Sequence, residues 1–582
     1  MQVSRRSRLV GVVVLALVVL AGAWIGWQVW SVSRDVSAAA DDATALRAAV
    51  LAQDAASQQA ELRHLREHSA AAAGRTDGLT WKVLEHLPYF GDDARGAAVA
   101  SSVVADLAQD GIAPLLDVTQ QMDALVPRDA TVSVSAASAL RAPVESGDAA
   151  FASAERRLSS QDPGSFTGRL RDKYRELESE VRDAHDVLAG ASTAMDLMPS
   201  MLGGDGPRHY LLVFQNNAEI RSTGGLPGAV SLVSANDGKV EMTRQVAASS
   251  FGERSSPVLA LTPAERQIYG EQLGTYFPDA NFTPDFGRSA ALMQARWEER
   301  YGGTVDGVVS LDPVALSYLL GATGPVTVGD TELTADNAVE LLLHQVYLEH
   351  PDPAAQDAYF RQVARAVFDA VSRGTDSPVA LAQALGRAAR EHRIYVHSFH
   401  PDEQRLIDET SVAGALTDAG SRGPQVGVYL NDATGSKMSY YLRYGARLDA
   451  NYCTDEVQAL SGSMRLSSTA PPNAARLPRY VTGGGAYGTE PGNQLVLVRL
   501  YGPVGGSISD VQLRGRPMEG ITVVPQDGRP VATVPVELSP GDTVDLTWQM
   551  QSGAGQVGDA QLTVTPGISP GLSSWSSVSA CA

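Results

Sequence analysis

Residues 9–30 carry no charge, and their one strongly polar side chain is Gln28. Wound as a helix they rise about 33 Å, enough to cross a hydrocarbon core about 30 Å thick. Arg5, Arg6 and Arg8 precede the run, and Trp24, Trp27 and Trp30 gather at its far end. Arginines remain on the cytoplasmic side and indole rings favour the membrane interface, so everything after Arg34 is expected outside. The reading is a single-pass cell-membrane protein, with a cytoplasmic tail and transmembrane anchor over residues 1–34 and an extracytoplasmic bulk. A cleaved signal peptide is the competing reading, because Ala21-Gly22-Ala23 has the small-x-small pattern of a cleavage site. Against it, the apolar stretch continues through Trp24-Ile25-Gly26-Trp27. Cleavage after Ala23 stays open, and both readings place the bulk in the same compartment.

The chain of 582 residues is too long for one ordinary core, and 44% hydrophobic with 19% charged residues is a globular composition. A net charge of −20 argues against nucleic acid as a partner. Of the 46 basic residues only Lys82, Lys173, Lys239 and Lys437 are lysines. The two cysteines, Cys453 and Cys581, cannot build a multi-cysteine zinc site. Outside the membrane a disulfide is the natural reading, with two free thiols as the alternative.

Residues 35–205 are rich in Ala, Leu, Glu, Gln and Arg, and are expected to form an extracytoplasmic helical region. Within it Leu170, Tyr174, Leu177, Val181, Ala184 and Leu188 recur at steps of four and three, one face of an amphipathic helix. Pro88 and Gly91 interrupt an earlier helix, which predicts several antiparallel helices. For residues 35–68 a simple stalk or coiled coil is also open.

The texture changes at Gly206. Short apolar runs at 210–214, 229–234, 239–246, 305–310, 325–328, 393–396 and 426–430 alternate with helices. Those helices announce their starts: Thr262-Pro263-Ala264-Glu265 is a capping box, and Thr283-Pro284 and Asp312-Pro313 set a cap before proline. The alternation predicts a layered α/β domain over 206–431. From 432 to 582, strand-like runs separated by turns such as Ser539-Pro540-Gly541-Asp542 predict a β-sandwich.

The segment Gln215-Asn216-Asn217-Ala218-Glu219-Ile220-Arg221-Ser222-Thr223-Gly224-Gly225 follows a predicted buried strand, where ligand sites of α/β sheets tend to lie. Asn216, Asn217, Glu219, Arg221, Thr223, Gly224 and Gly225 are the candidate ligand-binding residues. Arg221 suits a phosphate or carboxylate, and the glycines admit close backbone approach. The plainer reading is that Glu219 and Arg221 pair with other charges to order the loop. Asp279, Asp285, Asp306 and Asp312 stand near element ends, and two of them could hold a divalent cation. Asp285 joins the candidates, although Asp312 also reads as a helix cap and Asp285 as a first-turn acid. His397 and His400 have a His-x-x-His spacing without a third zinc ligand nearby. No Walker loop or His-Glu-x-x-His helix is present.

Four ordered motifs, YLLVFQNNAEIRSTGG (210–225), PDANFTPDFGRSA (278–290), VDGVVSLDPVAL (305–316) and DATGSKMSYYL (432–442), resemble the family called domain of unknown function 4012. That resemblance implies the envelope of a Gram-positive bacterium and no established activity. More distantly, 305–328 is similar to a stretch of the LytR-CpsA-Psr transferases, which implies a LytR-CpsA-Psr-like α/β domain. Those enzymes move glycopolymers from a polyprenyl pyrophosphate carrier to the wall with arginines and a magnesium-binding aspartate, so the likeness implies magnesium as a cofactor. Here Arg221-Ser222-Thr223 lacks that aspartate, and His344 and Gln345 stand where further arginines are expected. The expected function is an anchored envelope protein that binds, and as one option transfers, a polyprenyl-(pyro)phosphate-linked or wall-linked glycan. The alternative is a non-catalytic envelope scaffold or protein-interaction module, and whether the protein is an enzyme stays open.

Overall fold

The computed structural model describes residues 5–52, 54–88, 90–350, 352–375, 377–416 and 421–581, without the side chains of 5–23, 25 and 120. Residues 1–4 of the expected tail, and the side chains of Arg5, Arg6, Arg8 and the apolar run up to Ala23, thus lie outside the described residues. Two compact units result: Met1–Leu125 with Ser133–Pro199, and Val126–Val132 with Ser200–Ala582.

The first unit is helical. Its opening helix, Arg5–Leu51, carries the apolar run in its first half, and Trp24, Trp27 and Trp30 stand exposed on it. Asp54 turns the chain back by accepting bonds from the backbone N–H of Ala56 and Ser57, and helix Ala55–Thr76 returns alongside. Leu46, Leu62, Leu65, Ala108 and Leu116 fill the contact between these helices and the next, so residues 35–68 belong to a bundle and do not form a free stalk. In helix Gly168–Met201, Tyr174 and Val181 are buried and Leu170 and Leu177 pack beside them, as the periodicity predicts. Gly91–Thr119 is also long and apolar enough to cross a membrane, but Val103, Leu107 and Ala108 are buried against other helices of the unit.

The second unit is rich in sheet. Strands β1 (Arg208–Arg221), β2 (Gly224–Asn236), β3 (Lys239–Ala247) and β4 (Gly307–Leu311) precede a small hairpin of β5 (Val326–Val328) and β6 (Thr331–Leu333), and β7 (Ile394–Ser398) follows. The first sheet has the order β3-β2-β1-β4-β7, and within it only β1 and β4 run parallel. Asp237 and Gly238, at φ 48° and 80°, form the tight turn expected between β2 and β3. Successive side chains of β1 face opposite ways. Leu211 and Val213 pack with Met293 and Trp297 of helix Phe286–Tyr301, while Leu212 and Phe214 meet helices Pro313–Thr323 and Pro378–Arg390. Thr262 and Glu265 complete the capping box at 3.1 and 2.7 Å.

The later strands are β8 (Gln425–Asp432), β9 (Leu442–Thr454), β10 (Val457–Ser468), β11 (Gln494–Tyr501), β12 (Ser507–Leu513) and β13 (Arg516–Pro517). After them come β14 (Val523–Gln526), β15 (Arg529–Leu538), β16 (Thr543–Gln551), β17 (Gln561–Val564) and β18 (Ser574–Ser576). They form two layers, β13-β12-β16-β10-β9-β18 and β14-β15-β11-β8-β17. Val428, Val496 and Val534 of one layer and Leu448, Leu460 and Trp548 of the other share a single core. The strict alternation of exposed and buried residues along β16 shows how a period of two separates core from solvent.

Two strand assignments change. The run at 426–430 forms a strand, but it pairs with β11 and β17 in the five-stranded layer and not with the first sheet. The run at 325–328 closes a hairpin outside that sheet. Both are short apolar runs, whose partners a local pattern does not specify. Cys453 and Cys581 are bonded, with Cα atoms 5.0 Å apart.

Candidate functional site

Beyond Asn216 the register of β1 against β2 shifts, and the strand carries its polar residues into the C-terminal layers. Ile220 enters their core, and Arg221 closes the hairpin opposite Gly224, whose φ of +125° favours glycine. A Cβ on Gly225 would lie 2.2 Å from the carbonyl carbon of Asn216, so this position too requires glycine.

The candidate residues divide into three groups. Gln215, Thr223 and Gly225 share a buried amide network with Asn281, whose Nδ2 donates to Thr223 Oγ1 at 2.8 Å and to Gly225 O at 2.9 Å. Asn217 donates to Asp312 Oδ2 at 3.0 Å, and Asn216 donates to the hydroxyl of Tyr347. The third group is ionic. Arg221 Nη2 donates to Glu219 Oε1 at 2.9 Å and to Asp279 Oδ1 at 3.0 Å, and its guanidinium lies 4.8 Å from the Phe282 ring. Lys437 Nζ donates to the other oxygen of Glu219 and faces the rings of Tyr347 and Tyr480.

All of these charges are buried. Burial works against ionisation of Glu219, but Lys437 and Arg221 outweigh it and hold its carboxyl below the usual range. Burial likewise opposes the charge of Lys437, and the Glu219 carboxylate raises its pKa above the ordinary value nonetheless. Asp279 is pushed up to about 6 by burial in spite of Arg221. Asp432 is pushed up to about 6 by burial and by the nearby Glu219 carboxylate.

Asp285 stands outside this group: it caps helix Phe286–Tyr301, accepting from the Arg288 N–H at 3.1 Å. Asp312 caps helix Pro313–Thr323 and pairs with the buried Arg393 at 3.0 Å. Asp306 takes the N–H of His209 and a ring nitrogen of His400, and no described contact joins His400 to His397. Near Arg221, Glu219 and Asp279 are held by Arg221 and Lys437, and Asp432 accepts from the N–H groups of Gly435 and Ser436, so this donor set does not fit a magnesium ion, which requires an octahedron of oxygens.

Above Glu219 and Lys437 opens a polar pocket of about 330 Å³, lined also by Gly435, Arg479, Tyr480 and Gly483. Arg479 is exposed, and among the described residues no carboxylate lies within ion-pair distance of it. Gly435 and Gly483 have φ values of 62° and 73°, and a Cβ on either would press on Tyr487 or on the Thr434 carbonyl. Sequence reasoning missed Lys437, Arg479 and the run Thr482-Gly483-Gly484-Gly485. A signal was present: Lys437 is one of only four lysines and sits inside a quoted motif.

Fold and site together define an α/β sheet joined through a buried ion cluster to two layers of β-structure. Residues 205–347 match the family model described as a protein of unknown function (DUF4012). The match includes Glu219, Arg221 and Asp279, whereas Lys437 and Arg479 lie beyond it. No curated protein and no solved structure matches the chain.

Proposed function

We propose that the protein is a membrane-anchored, extracytoplasmic envelope protein that binds a glycan bearing phosphate or carboxylate groups in the pocket over Lys437. One observation carries this reading: Arg479 is exposed and, among the described residues, without a carboxylate partner, beside the half-open ring of Tyr480 and above a buried ammonium. A guanidinium grips a phosphate or carboxylate through two parallel bonds, and an aromatic face beside it offers an apolar platform. The apolar N-terminal helix and the disulfide support placement outside the membrane. The two C-terminal layers read as a β-sandwich of binding-module type.

In this reading Arg221 does not touch the ligand, because Glu219 and Asp279 already hold it; its part is to fix Glu219, which in turn orients Lys437. An apolar cavity beside β1, lined by Phe214, Leu311, Leu316, Leu342, Phe360 and Val363, has a volume of about 60 Å³. That is well below the ~150 Å³ that accommodates a benzene ring. The reading therefore favours a wall-linked or free anionic glycan over the isoprenoid tail of a carrier, and includes neither transfer nor a metal-assisted step.

Calorimetric titration of the full chain in detergent with an anionic wall polymer tests it. Arg479→Ala should weaken binding about tenfold or more, as expected for one charge-assisted contact. A neutral glycan should bind neither protein. Equal affinity of wild type and Arg479→Ala for the anionic polymer would remove the pocket from the function.

A further inference from the structure

Helix Leu79–Leu84 of the first unit turns two of its side chains inward. Trp81 and Leu84 are buried in one cluster with Val32 and Ala94. The side chains around them point the other way: Leu79 is 86% exposed, Val83 63% and Phe90 62%, with Leu87 also exposed. Four large apolar groups within twelve residues form a patch of the kind that marks an interaction surface.

Its position along the first helix identifies the partner. Val32, against which Trp81 packs, is two residues beyond Trp30, a rise of about 3 Å. Trp24, Trp27 and Trp30 are about half exposed, and Arg34 lies over the Trp30 ring at 5.4 Å. Arg75, in the last turn of helix Ala55–Thr76, pairs at 3.1 Å with the buried Asp35. The chain therefore enters residues 79–88 at the level where the apolar half of the first helix ends. The segment is held there by the Trp81 indole N–H, which donates to the Ala94 carbonyl at 2.9 Å, and by Arg95, which donates to the Glu85 carbonyl at 2.7 Å.

We infer that Leu79, Val83, Leu87 and Phe90 insert into the outer leaflet of the lipid bilayer, as a second membrane contact beside the anchoring helix. The inference rests on the anchored reading proposed above. Apolar side chains at the headgroup boundary gain the burial that water denies them, and Trp30 of the first helix lies about 3 Å along the axis from Val32, against which Trp81 packs. A contact on each side of the helix axis restrains the bundle from tilting freely about its anchor.

The test uses the full chain in nanodiscs of mixed zwitterionic and anionic phospholipid. With Cys453 and Cys581 bonded, single cysteines at Leu79→Cys, Val83→Cys and Phe90→Cys can carry a nitroxide, with Trp27→Cys and Ala55→Cys as references. Collision with oxygen reports lipid, and collision with a nickel chelate reports water. Labels at 79, 83, 90 and 27 should favour oxygen several-fold over the label at 55. If position 27 reads lipid while 79, 83 and 90 read water, the patch does not meet the bilayer and the inference fails, although the anchor stands. If those three are shielded from both reagents, a second copy or a partner protein covers them, and the inference fails equally. A water signal at position 27 would overturn the anchored reading and the inference together.

Discussion

Lys437 and Glu219, 218 residues apart in sequence, form an ion pair in the interior of the second unit, and the remaining oxygen of Glu219 holds Arg221. Removing one member leaves a charge half-compensated at the buried floor of the pocket. Lys437→Met should lower stability by about 3–5 kcal/mol, the range for breaking a buried pair from one side. Urea denaturation would measure it. The double variant Lys437→Met/Glu219→Gln should lose less than the sum of the two single losses, and strict additivity would show that the pair is not coupled.

The pH dependence of stability follows from the raised carboxyls. Asp279 and Asp432 are both pushed up to about 6, from 3.8 when exposed, with burial as the chief cause. An acid that holds its proton more tightly when folded contributes stability below its unfolded value and loses it as pH rises through the folded one. These two groups therefore make the protein less stable between about pH 4 and pH 6 as pH increases. Glu391 acts in the opposite sense. Burial opposes its charge, but Tyr318, Arg393 and further hydrogen bonds hold it down to about 2, so its contribution is present above 4.5 and is lost as pH falls towards 2. Melting curves from pH 3.5 to 7 should show Asp279→Asn gaining on wild type as pH rises. A difference independent of pH would remove Asp279 from the account.

Arg393 has a fully buried side chain that meets Asp312 at 3.0 Å, Glu391 at 2.7 Å, and the carbonyls of Gly567 and Ser569 at 2.8 and 2.6 Å. The planar fork reaches four acceptors from one position, which an ammonium does not reproduce. Arg393→Lys should therefore behave like a loss, costing on the order of 3 kcal/mol and opening 567–571 to limited proteolysis. Mass spectrometry of the fragments would locate the cut, and an unchanged digestion pattern would count against this tie.

Sequence features that act within a few residues were legible. The turn at Asn236-Asp237-Gly238, the capping box at Thr262 and the cap at Asp312 all depend on backbone groups no more than three positions away. The disulfide was legible because only two cysteines exist. Pairing across the fold was not. That Arg221 pairs with other charges was one of the two readings of its loop, but which charge was not legible, because Asp279 lies 58 residues on and nothing in either stretch announces the other. The strand at Gln425–Asp432 was recognisable as a strand, but its neighbours β11 and β17 are set by which apolar face the final packing covers. The Arg479 pocket escaped notice because its lining comes from three separate stretches, each of ordinary polar composition.

The three residues of β18 lie parallel along Ala446, Arg447 and Leu448 of β9, Trp575 rests under Arg447 at 3.7 Å, and Cys581 then bonds to Cys453 farther along the same strand. Without that cover, β9 would present a row of open backbone groups at the rim of a six-stranded sheet, a template for any identical rim that came near. The disulfide thus guards a margin as well as a core. Reducing it would first loosen the cover, and neighbouring copies would begin to zip together along their bared rims while the buried valines and leucines beneath were still in place.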